Sequence, residues 1–492
     1  MNEKINFLTV SELSVKIRSG EITSRQVVEA CIAQIKSHNP VYNAVVFLNE
    51  EEALRQADMA DMALASGKPT GLLHGIPITI KDTYQVKGMP ATAGYPPLKN
   101  FIPEEDAVIV KLLKEQGAIV IGKTNTAKLA MDMQTDNPLF GKTNNPWDVT
   151  RTPAGSSGGC ATALATGMTT LSFGSDLAGS IRLPSAFCGV YGFKPTHGVL
   201  SIEGHIPPLP GTTNGIRTIA VSGPLARSAG DLILAMKILS GPNPYDRFVS
   251  PVLPDSDTLP DIKNLKIAWS DNFGNVPVSR EIKGKMNAYL KKLADAGAVV
   301  ERAEPPGMDY VEVWELWGTF VGMQSGFEMS NVKRAIGDFF TKGTVKHIPM
   351  HRRIVGPISV EKLMKAFELQ SRYVTKMDNF LSEYDVWICP VSSSTAFKHH
   401  AHSKSFGDFK VYDNPLVIEG QKVPYYVATQ SYTTVFSTTN SPVVSMPIGM
   451  GASGLPVNVQ VAGKRYHDFR LLNTAKVLEQ YAENMVYPLQ SY

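Results

Sequence analysis

What this 492-residue chain has little of narrows its function first. Its four cysteines, Cys31, Cys160, Cys188 and Cys389, lie far apart and form no CxxC pair. That argues against a disulfide framework or a cysteine zinc site, and leaves thiols packed as small hydrophobes in a reducing cytoplasm. No uninterrupted apolar run approaches the roughly 18 residues of a membrane span. The opening MNEKINFLTVSEL has no apolar stretch behind a positive charge, so no signal peptide is expected. Charge of one sign is scarce as well: 48 Lys plus Arg stand against 45 Asp plus Glu, a net charge of +3. Without a basic run to track phosphates, nucleic acid is a poor partner. No cluster of His, Asp, Glu and Cys has ligand spacing, so no metal is expected.

What remains is ordinary globular composition, 43% hydrophobic and 19% charged, on a chain long enough for a large core. Residues 1–65 read as a helical segment packed on a catalytic domain of residues 66–492, one domain overall. Thr9-Val10-Ser11-Glu12 and Thr23-Ser24-Arg25-Gln26 fit the capping box, in which a hydroxyl and an acid or amide satisfy each other's orphan N–H groups. After the second box Val27, Val28, Cys31, Ile32 and Ile35 recur at helical spacing, and Asn39-Pro40 is expected to stop that helix.

Short apolar runs then alternate with helical patterns: Ala44–Leu48, Pro77–Ile80, Ala118–Ile121, Thr170–Phe173, Lys266–Trp269, Val386–Cys389, Val443–Met446 and Val457–Val461. This predicts an α/β fold with helical layers around a mixed central sheet. The Gly- and Pro-rich stretches 203–215 and 249–260 read as loops. Residues 393–425 lack periodicity and read as a long surface loop near the site or a mobile one.

Two short motifs mislead. Gly117-Ala-Ile-Val-Ile-Gly122-Lys123-Thr124 matches a phosphate-loop pattern, but Ala-Ile-Val-Ile is strand-like, so its N–H groups belong to a sheet rather than a phosphate. Gly155-Ser156-Ser157-Gly158-Gly159 centres Ser157 as in a nucleophile elbow. An elbow needs a strand entering it, and Asp148–Ala154 is polar and contains Pro153. None of the later histidines, His197, His205, His347, His351, His399, His400, His402 and His467, sits in a pattern that marks it.

A third pattern spans 75–200: Gly75-Ile-Pro-Ile-Thr-Ile-Lys81-Asp82, the Gly155–Gly159 run, Gly174-Ser-Asp-Leu-Ala-Gly-Ser180-Ile-Arg182, and Cys188-Gly-Val-Tyr-Gly-Phe-Lys-Pro-Thr196. With its two serines 24 residues apart, this resembles the amidase signature family, in particular broad-specificity amidases and bacterial relatives like fatty acid amide hydrolase. More weakly, the resemblance covers the whole chain. It implies a metal-independent serine amidase that works through an acyl-enzyme, without a cofactor. Ser180 would be the nucleophile, Lys81 the general base, and Ser156 the bridging serine, held after a non-proline cis peptide. The backbone of Leu177, Ala178, Gly179 and Ser180 would form the oxyanion hole, with Ser157, Asp176 and Arg182 in support and Ala130 and Met131 bordering the substrate.

The chemistry suits these residue types. A lysine becomes a base only when burial or nearby positive charge lowers its pKa, and Lys81 closes an apolar strand. Small residues before Ser180 let successive N–H groups converge on an oxyanion. Taken alone, Lys81 reads better as an ordinary strand-end lysine reaching solvent, while Ser180 reads also as a helix cap and Asp176 and Arg182 equally as surface charges. Two positions depart from the family: Ala178 where Gly is usual, and Cys160 where Ser is common.

The expected substrate is a small to medium aliphatic or aryl amide; an ester or carbamate is open to the same triad. The family's glutaminase subunit carries an acid just before its Tyr-Thr, where this chain has Gln430-Ser431-Tyr432-Thr433, which disfavours that role. A non-catalytic or glutaminase-type subunit of a larger complex stays as the alternative. Trp314, Trp317, Phe320 and Met323, at helical spacing, line either the core or an acyl pocket. A cytoplasmic enzyme is expected, with a homodimer open.

Overall fold

Both capping boxes form. Thr9 Oγ1 accepts from Glu12 N at 3.2 Å while Glu12 accepts from Thr9 N at 2.8 Å; Thr23 and Gln26 repeat the exchange at 3.1 and 2.9 Å. The helices Val10–Arg18 and Ser24–Tyr42 follow. Val27, Val28, Ile32 and Ile35 bury the predicted face, each contributing about 1.5–3 kcal/mol relative to exposure. The second helix continues past Asn39-Pro40, contrary to expectation: Pro40 sits in the last turn and Asn43 ends the helix in the left-handed region. The Asn39 side chain is engaged by Ala44 N and Val45 N instead of breaking the helix. Asp231 accepts from Val10 N and Ser11 N and ties the first helix to the helix Ala229–Leu239.

The chain in this computed structural model is described over residues 4–68, 70–213, 215–254, 258–326, 329–345, 347–354, 356–406 and 409–490. Eleven strands form its central sheet. They are β1 (Val45–Leu48), β2 (Pro77–Lys81), β3 (Ile119–Thr124), β4 (Leu171–Asp176), β5 (Tyr191–Lys194) and β6 (Val221–Ala226), then β7 (Lys266–Trp269), β8 (Val299–Arg302), β9 (Val386–Pro390), β10 (Val443–Met450) and β11 (Pro456–Ala462). Their spatial order is β1-β3-β2-β4-β6-β5-β10-β11-β9-β7-β8. The sheet is mixed: β2 runs parallel to β3 and β4, β7 parallel to β8 and β9, and the strands between pair antiparallel. Helices cover it, among them the all-buried Gly158–Ala165, Arg182–Cys188 and Tyr425–Thr438.

Each apolar run identified in the sequence overlaps one of these strands. β5, β6 and β8 are not among them, because YGFK and VSGPLA interrupt their apolar character with Gly or Pro, and VVER is a largely exposed edge. Stretch 393–425 is also more ordered than expected. It carries two short hairpins, Lys404–Phe406 with Phe409–Val411 and Leu416–Ile418 with Gln421–Val423; residues 407–408 lie outside the described residues. Strands three residues long are too short to leave a periodic trace.

The phosphate-loop match resolves as a strand. Lys123, on β3, is wholly buried and donates to Asp82, Tyr84 O and Pro90 O at 3.2, 2.8 and 3.0 Å. Among the described residues, no helix is long and apolar enough to cross a membrane.

Candidate active site

Strand β2 is buried along its whole length between β3 and β4 and delivers Lys81 from its C-terminal end. Lys81 has no exposed surface, and its Nζ lies 2.7 Å from Ser156 Oγ and donates to Ser175 Oγ at 3.1 Å. Burial brings its pKa down to about 7, against smaller opposing pulls from Cys160 and Asp176. Its hydrogen-bond partners set it apart from the other buried lysines near the sheet. Lys123 and Lys194 donate to carbonyls and, for Lys123, a carboxylate, groups that only accept. Lys81 instead meets two hydroxyls, Ser156 and Ser175, and the Ser156 hydroxyl can donate to a neutral amine as well.

Ser156 sits on the loop before the helix Gly158–Ala165, and the Gly155–Ser156 peptide is cis. The glycines here serve space rather than positive φ. A Cβ on Gly155 would meet the Gln134 carbonyl carbon at 2.6 Å, and one on Gly159 would meet Asn125 N at 2.5 Å. Thr135 Oγ1 fixes the loop, donating to Ala154 O and accepting from Gly158 N, both at 2.9 Å. Ser157 donates its N–H to Ser180 O at 3.2 Å and joins the two serine loops, while its hydroxyl points to Ser175 O at 3.4 Å. It thus supports the loop, and no strand precedes it.

Ser180 follows β4 in a turn shaped by Asp176. The Asp176 carboxylate accepts from Gly179 N at 2.8 Å and Ile181 N at 3.1 Å, and pairs with Arg182 through Nε and Nη2 at 3.0 and 2.8 Å. Arg182 continues to Thr433 O, Gln460 Oε1 and Ser437 Oγ. Burial pushes the Asp176 carboxyl up, but the guanidinium outweighs it and holds the pKa at about 2. The two charges are therefore a buried pair that moulds the turn, not surface residues. Gly179 takes φ +114, with Thr433 Oγ1 2.7 Å from where a Cβ would sit. Ala178 stays out of the left-handed region, so its methyl is no obstacle. Because the Gly179 N–H is directed onto Asp176, the free donors of this turn among the described residues are Leu177, Ala178 and Ser180. Cys160 packs beneath, its Sγ 2.9 Å from Thr124 Oγ1.

Ala130 and Met131 lie on a turn with left-handed φ at Leu129 and Ala130, joined to the Ser156 loop by Ala127 N donating to Ser156 O at 3.3 Å. Met131 is exposed. In the aromatic stripe, Trp314 is core, its Nε1 donating to Ser431 O, whereas Trp317 Nε1 donates to Leu177 O at the start of the Ser180 turn, at 2.9 Å in each case. Phe320 packs on Phe367.

Two residues read from the sequence without a role in the site stand at the centre of this geometry. Ser175, on β4, contacts Lys81, and His205 Nε2 lies 2.9 Å from Ser175 Oγ. His205 belongs to the Gly- and Pro-rich loop, and only its pairing with the residues that follow β2 brings it in. Tyr84 and His205 form an antiparallel bridge, and Ile206 N donates to Thr83 O. Among the described residues, no three His, Cys, Asp or Glu side chains group to hold a metal ion.

The profile of the Amidase family matches residues 26–472. A glutamyl-tRNA(Gln) amidotransferase subunit of Alkaliphilus metalliredigens is 31% identical over 97% of both chains. An acylamidase of Rhodococcus erythropolis is 29% identical over 97% of this chain and 96% of its own. Fatty acid amide hydrolase shares the fold with a TM-score of 0.81 at 23% identity, over 98% of this chain and 86% of that one. With a family match across most of its length and relatives aligned end to end, the chain belongs to the amidase signature family of amide-hydrolysing enzymes.

Proposed function

We propose that the chain hydrolyses a small to medium aliphatic or aryl carboxylic amide through an acyl-enzyme on Ser180, with Ser156 as relay and Lys81 as base. The observation that carries this reading is the contact of 2.7 Å between the wholly buried Lys81 Nζ and Ser156 Oγ, with no carboxylate within ion-pair distance of the lysine among the described residues. Neutral Lys81 takes the Ser156 hydroxyl proton as Ser156 takes that of Ser180. The Ser180 Oγ forms a bond to the amide carbon, whose carbonyl electrons move onto oxygen. N–H groups of Leu177, Ala178 and Ser180 receive that charge. Collapse expels the amine, protonated from Lys81 through Ser156, and a water deprotonated along the same route releases the acid. Side chains supply base, relay and nucleophile, so the reaction is proposed to run without metal or cofactor. Esters and carbamates are open to the same steps.

Purified protein should release the arylamine from an acyl anilide. Ser180→Ala and Lys81→Arg should abolish turnover, since a guanidinium does not give up its proton near neutral pH, and Ser156→Ala should cost less than Ser180→Ala. Near-normal turnover in Lys81→Arg would overturn the reading.

The 31% identity to an amidotransferase component favours a second reading, in which the chain is the glutaminase half of a larger complex. Against it, Gln430 places a neutral amide on the buried helix whose Thr433 touches the nucleophile turn. Hydrolysis of free glutamine but not of anilides would favour this second role.

A further inference from the structure

We infer that Ser175 and His205 are positioning residues that reserve the Lys81 lone pair for Ser156 by fixing the direction of a hydrogen-bond chain. This rests on the reading of Lys81 as the base.

The chain has one permitted polarity. Its far end is the Pro207 carbonyl, 2.9 Å from His205 Nδ1. A carbonyl only accepts, so Nδ1 carries the proton, and in neutral imidazole Nε2 is then a bare acceptor. The Ser175 hydroxyl, 2.9 Å from Nε2, is the donor in that contact. Its single proton is thereby committed, and towards Lys81, 3.1 Å away, its oxygen only accepts. An N–H of Lys81 must point at Ser175. A neutral amine has two N–H bonds and one lone pair, so orienting an N–H towards Ser175 leaves the lone pair for Ser156 at 2.7 Å. Were the Ser175 proton free, it would compete with Ser156 for that lone pair.

The imidazole is held for this task. It packs edge-on against Tyr84, with ring centroids 4.8 Å apart, and Tyr84 is anchored in turn to Gly174 O and Ser222 Oγ. The ring is buried, and burial with the nearby Lys81 charge depresses its pKa to about 3, so it stays neutral wherever Lys81 works.

The test is a double-mutant cycle on an anilide substrate. His205→Phe keeps an aromatic ring but no acceptor, and should lower kcat about tenfold at unchanged KM, the scale of one misdirected hydrogen bond. His205→Gln restores an acceptor and should recover most of that loss. In a Ser175→Ala background, His205→Phe should cost nothing further, because His205 acts only through the Ser175 hydroxyl. An effect of His205→Phe that persists undiminished without Ser175 would make the histidine a packing residue and overturn the inference. So would kcat within twofold of wild type in folded His205→Phe. If His205→Phe does not fold, ¹⁵N spectra of histidine-labelled intact protein decide the matter: Nδ1 protonated and Nε2 bare is the expected state, and the opposite tautomer refutes it. An inactive Lys81→Arg beside a fully active His205→Phe sinks this inference alone, whereas an active Lys81→Arg sinks the base assignment beneath it.

Discussion

Arg182 and Asp176 meet in a bidentate pair, Nη2 to Oδ1 at 2.8 Å and Nε to Oδ2 at 3.0 Å, with neither side chain exposed. Removing one partner leaves an uncompensated buried charge. Arg182→Leu should therefore lower stability by about 3–5 kcal/mol in urea titrations and disorder the Ser180 turn. Because the folded pKa of Asp176 is about 2 and its ordinary value 3.8, its contribution is complete above pH 4 and fades as pH falls through about 2. Acid titration of wild type against Asp176→Asn should show that difference vanish in this window.

Lys81 should trade stability for activity. Its folded pKa, near 7, lies below its ordinary 10.5, so the folded state binds fewer protons between those values. The destabilisation is full below about pH 7 and fades as pH rises towards 10.5. Lys81→Met should raise the urea midpoint at pH 6, with the gain shrinking by pH 10, while kcat falls by about 10³-fold or more. In the wild type, kcat/KM should climb through about pH 7 as the amine loses its proton. A Lys81→Met protein less stable than wild type at pH 6 would contradict this.

Two glycine substitutions should act in opposite directions. Gly159→Ala drives a methyl to 2.5 Å from Asn125 N and should unfold or inactivate the enzyme. Gly284→Ala, in the helix Arg280–Asp295 with nothing within 4 Å, should stabilise by about 1 kcal/mol in the same titration.

Trp317→Phe removes the indole donor from Leu177 O and should reduce kcat about tenfold with little change in Tm. Trp314→Phe should cost mainly stability, because its partner Ser431 O belongs to the core helix. Thermal melts and anilide kinetics on both proteins separate the two roles.

Local signals are the readable part of this chain. Thr9-x-x-Glu12 and Thr23-x-x-Gln26 carry their capping chemistry within four residues, and apolar runs such as Lys266–Trp269 mark interior strands because both faces are covered. Asp176 and Arg182 are recognisable as partners because one turn joins them. Ser175 and His205 are not, since 30 residues and a Pro-rich loop separate them and only the bridge to Tyr84 closes the gap. The helix through Pro40 is also hidden, because Asn39 redirects its amide to the following strand rather than ending the helix. Nor does the sequence reveal why glycine stands around Ser156: contact with Gln134 and Asn125 demands it, a tertiary fact with no local trace.

The most direct test of the account is the site of covalent capture. Treated with a serine-directed fluorophosphonate and digested, the protein should carry a single adduct on Ser180, and the adduct should be absent from Ser180→Ala and formed far more slowly in Lys81→Arg. An adduct on Ser157 or Ser156 in the wild-type protein, with Ser180 unmodified, would contradict the assignment of the nucleophile and the relay built on it.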